Sequence, residues 1–254
     1  MSFIAVIPAR LASTRLPNKA LLDIGGKAMV VRTAEQALKS GASRVIVATD
    51  AEEIAHVTRS AGLETVLTSP DHPTGTDRLS EVVRTLAVAP EQIVVNVQGD
   101  EPLINPSLID QVAHTLAQTP SASIATLGVP ITEAETLFNP NTVKIVVDQA
   151  DHALYFSRAP IPWAREALSD GKQRLADGLP ALQHIGLYAY RTSFLQVFPT
   201  LSRGSLEQIE LLEQLRALEH GYRIVVSRSA HPPAPGIDTA EDLEKVRNIV
   251  RNSL

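Results

Sequence analysis

Residues 3–19 read Phe3-Ile-Ala-Val-Ile7-Pro8-Ala9-Arg10-Leu-Ala-Ser13-Thr14-Arg15-Leu-Pro-Asn-Lys19. The run 3–7 is apolar throughout and suits a strand buried on both faces. Pro8 is expected to end that strand and open a loop. The loop carries three cations, Arg10, Arg15 and Lys19, and two hydroxyls, Ser13 and Thr14. Charge beside a core strand is costly unless it is partnered. Three unpaired cations there predict an anionic partner, and a polyphosphate fits best.

Outward from this stretch, strand-like and helix-like patterns alternate. A helix is expected over 28–40 after a Gly25-Gly26 turn, and a β-branched strand over 44–49. Asp50 with Glu53 reads as a capping box opening a helix through Ala61. Strands follow at 64–68 and 92–97, with a helix at 77–87 between them. Continuous apolar strands alternating with helices favour a parallel sheet covered on both faces. The pattern changes after about residue 120. Strands at 123–129, 142–148, 153–158 and 184–191 lack full helices between them, and 149–152 reads as a hairpin loop. Residues 159–182, rich in Pro and Gly, read as a long surface loop. The expectation is one α/β domain, with a core of about 1–130 and 200–254 and a β-rich insert of about 131–199. Leu206, Ile209, Leu212, Leu215 and Leu218 predict one amphipathic helix over 206–219. A strand at 222–227 follows, and Thr239 with Asp242 caps a last helix to Arg251.

The chain has 254 residues and a net charge of −5, so the N-terminal cations are a local feature of an acidic protein, and nonspecific nucleic-acid binding is not expected. Zero cysteines exclude disulfides, thiolate metal sites and a cysteine nucleophile. Arg10 interrupts the first apolar run too early for a signal peptide, and no run is long enough to span a membrane. A cytoplasmic enzyme is the expectation.

The cationic loop is neither a Walker-type P-loop nor a G-x-G-x-x-G dinucleotide turn. Its logic is still anion binding by fixed cations and backbone N–H groups. A second constellation, Asn96-Val-Gln98-Gly-Asp100-Glu-Pro102, sits where a core strand ends, the edge at which open α/β sheets bind ligands. Asp100 there suits a hard cation such as Mg²⁺, and equally a plain turn. Asp238, after the Pro235-Gly236 turn, suits either a second metal carboxylate or a helix cap. Thr74-Gly-Thr76-Asp77-Arg78 opens a helix and suits either nucleotide contacts or capping with a surface Arg78. Tyr155, Ser157 and Arg158 alternate along one strand, and His184 and Tyr188, four apart in another, face the same side. Glu207 and Gln208 open the amphipathic helix. Each of these also has a purely structural reading. No H-E-x-x-H and no G-x-S-x-G is present, which argues against zinc or serine hydrolysis.

Taken in order, Pro8-Ala-Arg-x-x-Ser-Thr-Arg-Leu-Pro-x-Lys19, Asn96–Pro102, Phe138-Asn-Pro-Asn141, Tyr155-Phe-Ser-Arg158, His184-Ile-Gly-Leu-Tyr188 and Leu206-Glu-Gln-Ile-Glu210 closely resemble the 3-deoxy-manno-octulosonate (Kdo) cytidylyltransferases, a family of sugar-activating nucleotidyltransferases. The resemblance covers nearly the whole chain. It implies a Rossmann-like nucleotidyltransferase fold, with a central mostly parallel sheet, helices on both faces and a β-rich insert. It also implies transfer of CMP from CTP to the 2-hydroxyl of Kdo, a step toward lipopolysaccharide. By this resemblance Arg10, Lys19 and Asp100 are catalytic. Pro8, Ala9, Arg10, Ser13, Thr14, Arg15, Lys19, Thr76, Asp77 and Arg78 bind the nucleotide. Gln98, Arg158, His184, Tyr188, Glu207 and Gln208 bind the sugar, Asp100 and Asp238 hold Mg²⁺, and a homodimer forms through the insert. Many relatives have Gly-Lys-Pro where this chain has Asn18-Lys19-Ala20, and Ser-Gly-Thr where it has Thr74-Gly-Thr76. Two alternatives stand beside this reading. One is the same chemistry on an 8-amino or sialic-acid-like sugar. The other is an inactive nucleotide-binding protein on the same scaffold, although it need not have kept Arg10, Lys19, Asp100 and Asp238.

Overall fold

Strand β1, Phe3–Ala9, runs through the middle of the main sheet, with five of its first six residues, Phe3 to Ile7, buried in unbroken succession. The computed structural model describes residues 2–13, 16–171, 173–230 and 235–252. After β1 come the hairpin β2 (Asp23–Ile24) and β3 (Lys27–Ala28), α1 (Met29–Ala37), β4 (Arg44–Thr49), α2 (Glu52–Ser60), β5 (Glu64–Leu67), α3 (Gly75–Thr85) and β6 (Ile93–Asn96). Then follow α4 (Pro106–Gln118), β7 (Ile124–Pro130), α5 (Ala134–Phe138), β8 (Lys144–Val147), β9 (Ala153–Ser157) and β10 (Leu182–Arg191). The chain closes with α6 (Thr192–Val197), α7 (Ser205–Glu210), α8 (Gln214–Glu219), β11 (Ile224–Arg228) and α9 (Ala240–Arg251).

The sheet order is β11-β7-β10-β6-β1-β4-β5, with β8 pairing β10 and β9 pairing β8. Pairs β1·β4, β1·β6, β4·β5 and β7·β11 are parallel, and β10 runs antiparallel between β6 and β7. Alternate residues of β1 feed two cores. Phe3, Ala5 and Ile7 join α1, α2 and α4 on one face, while Ile4 and Val6 join α3, α6 and α8 on the other. Each fully buried Val or Ile contributes about 1.5–3 kcal/mol, so the central strands hold both layers to one sheet. The result is the expected mostly parallel sheet with helices on both faces. Successive strands leave β1 in opposite directions, β4 on one side and β6 on the other. That reversal opens a crevice at the carboxyl ends of β1 and β6.

Pro8 does not end β1, as the sequence suggested. The strand runs on through Ala9, in register with Ala48 and Thr49 of β4. The Val6 carbonyl accepts from Val97 N, so the same edge of Pro8, two residues on, faces the side where β6 has already stopped. The missing N–H therefore costs no ladder bond.

Two further expectations change. Asp50 is not a cap for α2, whose N-cap is Ala51 with no side-chain bond. Asp50 instead accepts from the Arg78 guanidinium at 2.9 Å and from Leu11 N at 3.3 Å. The single helix over 206–219 is two helices, α7 and α8, separated by Leu211 in the left-handed conformation, φ 54°. A continuous helix would put Glu210 and Glu213 on one face, three apart. The break sends Glu210 toward β9 and Glu213 toward the crevice. The cap on α9 is as read: Thr239 and Asp242 form a reciprocal capping box.

Candidate active site

A cavity of about 380 Å³ opens where β1 and β6 end. Its walls come from five places. Pro8 and Ala9 end β1 and Arg10, Ala12 and Ser13 follow it, Lys19 and Ala20 close the cationic loop, and His72 to Gly75 lead into α3, which adds Arg78. Gln98 to Asp100 follow β6, and Glu213 and Asp238 come from the C-terminal third.

Lys19 is the centre of this arrangement. Its side chain is 15% exposed, and its ammonium donates to Asp100 Oδ2 at 2.7 Å and to Asp238 Oδ1 at 3.0 Å. Lys19 is thus not an unpaired cation, as its loop position suggested. Two carboxylates distant in sequence already neutralise it. Main-chain contacts bring them together. The Asp100 carbonyl accepts from Ile237 N at 3.0 Å, which seats the segment carrying Asp238 beside it. Gly99 makes the turn possible, because a Cβ there would stand 2.9 Å from the Pro8 carbonyl oxygen. Thr33 Oγ1 of α1 donates to the Gly99 carbonyl at 3.2 Å and holds the turn from the other side.

Arg10 is exposed on the rim, whereas Arg78 is 4% exposed in the wall. The surface position considered for Arg78 is therefore replaced by a buried one. Its guanidinium pairs with Asp50 and donates to the Thr68 hydroxyl and the Ser69 carbonyl. Thr74 caps α3, accepting from Asp77 N at 3.2 Å and donating to Asp77 Oδ2 at 2.6 Å. Thr76 and Asp77 lie buried beneath the cavity and do not line it. Thr76 donates to the Glu213 carboxylate. Burial raises the carboxyl of Glu213 above its ordinary range, partly offset by bonds from Thr74 and Thr76.

Of the expected nucleotide residues, Pro8, Ala9, Arg10, Ser13, Lys19 and Arg78 line the cavity. Thr14 and Arg15 lie outside the described residues. Of the expected sugar residues, Gln98 lines it and donates to the Gly186 carbonyl at 3.3 Å. Gly186 belongs to a bulge in β10, where Ile185 pairs Leu127 and Tyr188 pairs the very next residue, Thr126. The bulge brings the His184 and Tyr188 rings to 5.2 Å, although they are four residues apart. Burial pushes the His184 imidazole down to about 3, and its Nε2 lies 3.0 Å from the Thr126 hydroxyl. Arg158, His184, Tyr188, Glu207 and Gln208 do not line the described cavity. Glu207 is engaged by Arg216 in a buried two-point pair at 2.6 and 2.8 Å, and Gln208 donates to the Arg203 carbonyl. Glu213 and His72 line the cavity and were not singled out in the sequence. Glu213 escaped because nothing in Leu211-Leu-Glu-Gln214 marks a helix break: there is no Gly or Pro.

The donor set suits Mg²⁺. Two carboxylates already converge on one cation, the Lys19 ammonium, and the ligands are all oxygen. Mg²⁺ is commonly held by one or two carboxylates completed by substrate phosphates and water. Among the described residues no group of three or more His, Cys, Asp or Glu side chains is placed to hold a metal ion by itself.

A cytidylyltransferase family model matches residues 4–224. The chain belongs to the cytidylyltransferase family. This cytidylyltransferase is similar, over 100% of its length and 99% of the other chain, to the structure of CMP:2-keto-3-deoxy-manno-octonic acid synthetase complexed with CTP, at 41% identity and a TM-score of 0.89. It also resembles a cytidylyltransferase from Leptospira borgpetersenii serovar Hardjo-bovis (strain JB197), at 16% identity and a TM-score of 0.63, covering 100% of this chain and 87% of that one. That second likeness bears on the fold alone. Among the described residues of this cytidylyltransferase, no helix is long and apolar enough to cross a membrane.

Proposed function

We propose that the chain transfers CMP from CTP to the 2-hydroxyl of 2-keto-3-deoxy-manno-octonic acid (Kdo), releasing pyrophosphate. The observation that carries this reading is the end-to-end likeness, at 41% identity, to a CMP:2-keto-3-deoxy-manno-octonic acid synthetase complexed with CTP. The cavity supports it with cations and carboxylates arranged for a triphosphate.

In the reaction a bond forms between the sugar O2 and the α-phosphorus, the bond from that phosphorus to the pyrophosphate oxygen breaks, and one proton leaves with the products. Such chemistry rests on positioning and on neutralising charge. Arg10 and Lys19 offset phosphate charge, and Ser13 offers a hydroxyl beside them. Gly99 and the Pro8–Ala9 main chain leave room for the nucleotide. Arg78, paired with Asp50, is a wall residue held in one place. Asp100 and Asp238 would hold Mg²⁺, whose charge lowers the pKa of a coordinated hydroxyl and offsets charge on the phosphates. Gln98, tethered to the β10 bulge, and Glu213, protonated more readily than an ordinary carboxyl, face the acceptor. A second copy of the chain is the expected partner. Support comes from large apolar side chains left in solvent around the β9 and α7 region: Leu154 at 63%, Ile209 at 79% and Leu211 at 77% exposed. A cytoplasmic location, where CTP is supplied, belongs to the same reading.

The test is pyrophosphate release from CTP and Mg²⁺ with Kdo, its 8-amino analogue and a sialic acid in parallel. Kdo is expected to give the highest kcat/KM. Preference for the 8-amino sugar would move the assignment within the class, and no release with any of the three would defeat it.

A further inference from the structure

Lys144 opens β8 and is fully buried, at 0% exposure. An ammonium in that setting normally stands beside a carboxylate. Here its donors go to main-chain carbonyls from three places: Asn139 at 2.9 Å, Thr142 at 2.7 Å and Arg158 at 2.5 Å. Three donors meet three acceptors, so the ammonium has no capacity left over. Burial lowers its pKa, the nearby Glu210 opposes that shift, and Arg158 adds to it. A core position that needed only volume would be filled by Met or Leu at less cost.

The three carbonyls belong to segments that are themselves tied together. Arg158 Nη1 donates to the Pro140 carbonyl at 3.2 Å, and Nε donates to the Glu210 carbonyl at 2.9 Å. The Glu210 carboxylate accepts from Ser157 Oγ at 2.5 Å and from Arg158 N at 3.0 Å. Glu210 ends α7, Leu211 turns the chain in the left-handed conformation, and Glu213 two residues later lines the cavity. A left-handed non-glycine persists only where its surroundings fix it. The chain of contacts from Lys144 through Arg158 and Glu210 is what fixes this one on its N-terminal side.

We propose that Lys144 is a positioning residue for the acceptor side of the site: it gathers the 139–142 turn and the end of β9 so that Arg158 and Glu210 set the Leu211 turn that delivers Glu213. This rests on the reading of the cavity as a nucleotide and acid-sugar site, and it deepens that reading. It predicts a defect much larger for the acceptor than for CTP, because Arg10, Lys19 and Asp100 stand on other elements and the Thr76 bond to Glu213 is the link from this turn to the expected nucleotide residues.

Lys144→Met is expected to raise KM for Kdo by about tenfold or more, the scale of a misplaced contact, with CTP affinity by calorimetry changed by less than about twofold. Hydrogen exchange should accelerate in peptides spanning 139–142 and 205–213 and stay unchanged in β1 and β4. Unchanged Kdo kinetics, or an equal loss for CTP and Kdo with exchange rising everywhere, would overturn the proposal. Should Lys144→Met not fold, two other tests judge it. The chain has no cysteine of its own. Lys144→Cys alkylated in denaturant with 2-bromoethylamine and refolded restores an ammonium at that site, and should recover Kdo KM. Alkylation with iodoacetamide, which leaves a neutral amide, should not; equal recovery by both overturns the role of charge. Glu210→Gln should raise Kdo KM by itself, and an unaltered KM overturns the relay. If the unmodified chain releases no pyrophosphate with Kdo, the functional reading fails, while the exchange data still decide whether Lys144 holds the turn.

Discussion

Lys19 shows how one residue can be half legible. Its place in a cationic loop after a buried strand pointed to an anion site, but its two carboxylate partners lie 81 and 219 residues away, beyond any local pattern. Lys19→Ala removes the cation that Asp100 and Asp238 share. Turnover should fall by roughly 10²–10³, as for loss of a preorganised donor, measured as initial pyrophosphate release at saturating substrates. Near-normal turnover would remove Lys19 from the reaction. Asp100→Asn should shift the Mg²⁺ concentration for half-maximal rate upward and weaken Mn²⁺ binding in the CTP complex, read by electron paramagnetic resonance. An unchanged titration would reduce Asp100 to a turn residue. His184 gives a pH prediction. Its folded pKa of about 3 lies below the ordinary 6.5, so between these values the unfolded chain binds more protons than the folded one. Its contribution to stability is therefore complete above pH 6.5 and is lost as pH falls toward 3. Thermal unfolding between pH 7 and 4 should show a steeper decline for the parent chain than for His184→Gln, and parallel curves would show that burial does not govern its proton.

At the scale of elements, sequence periodicity served best where both faces of a strand are buried. The strand expected over 44–49 is β4 to the residue, because every position after Arg44 packs into a core. It served worst where backbone geometry breaks without Gly or Pro. Leu211 splits an amphipathic pattern that looked continuous, and the β10 bulge places His184 against Tyr188 by a route that period-two alternation does not contain. The Gln98-Gly99-Asp100 turn is the opposite case, since Gly99 marked it in the sequence and the contact with Pro8 explains why. Gly99→Ala puts a Cβ 2.9 Å from a main-chain oxygen that cannot rotate away. The expected cost is about 1–3 kcal/mol of stability, as for overpacking, together with weaker CTP binding, measured by urea unfolding and calorimetry. Neither effect would mean the turn relaxes without moving Asp100.

For the whole molecule, alternating strands and helices were enough to expect a mostly parallel sheet with a crevice at its carboxyl edge, and the strand order places that crevice between β1 and β6. The antiparallel β10, wedged between β6 and β7, was not legible, because strand neighbours far apart in sequence are set by tertiary packing. Its position matters: β10 carries the bulge that Gln98 grips, so the residues expected to hold the sugar hang on the same sheet as the cationic loop. This sheet edge is where CMP is proposed to join Kdo. The most direct measurement is mass spectrometry of a reaction of the purified chain with CTP, Mg²⁺ and Kdo, with pyrophosphate counted in parallel. CMP–Kdo formed one-for-one with pyrophosphate is the predicted result; CTP left intact, or pyrophosphate released with no CMP–sugar conjugate, would contradict it.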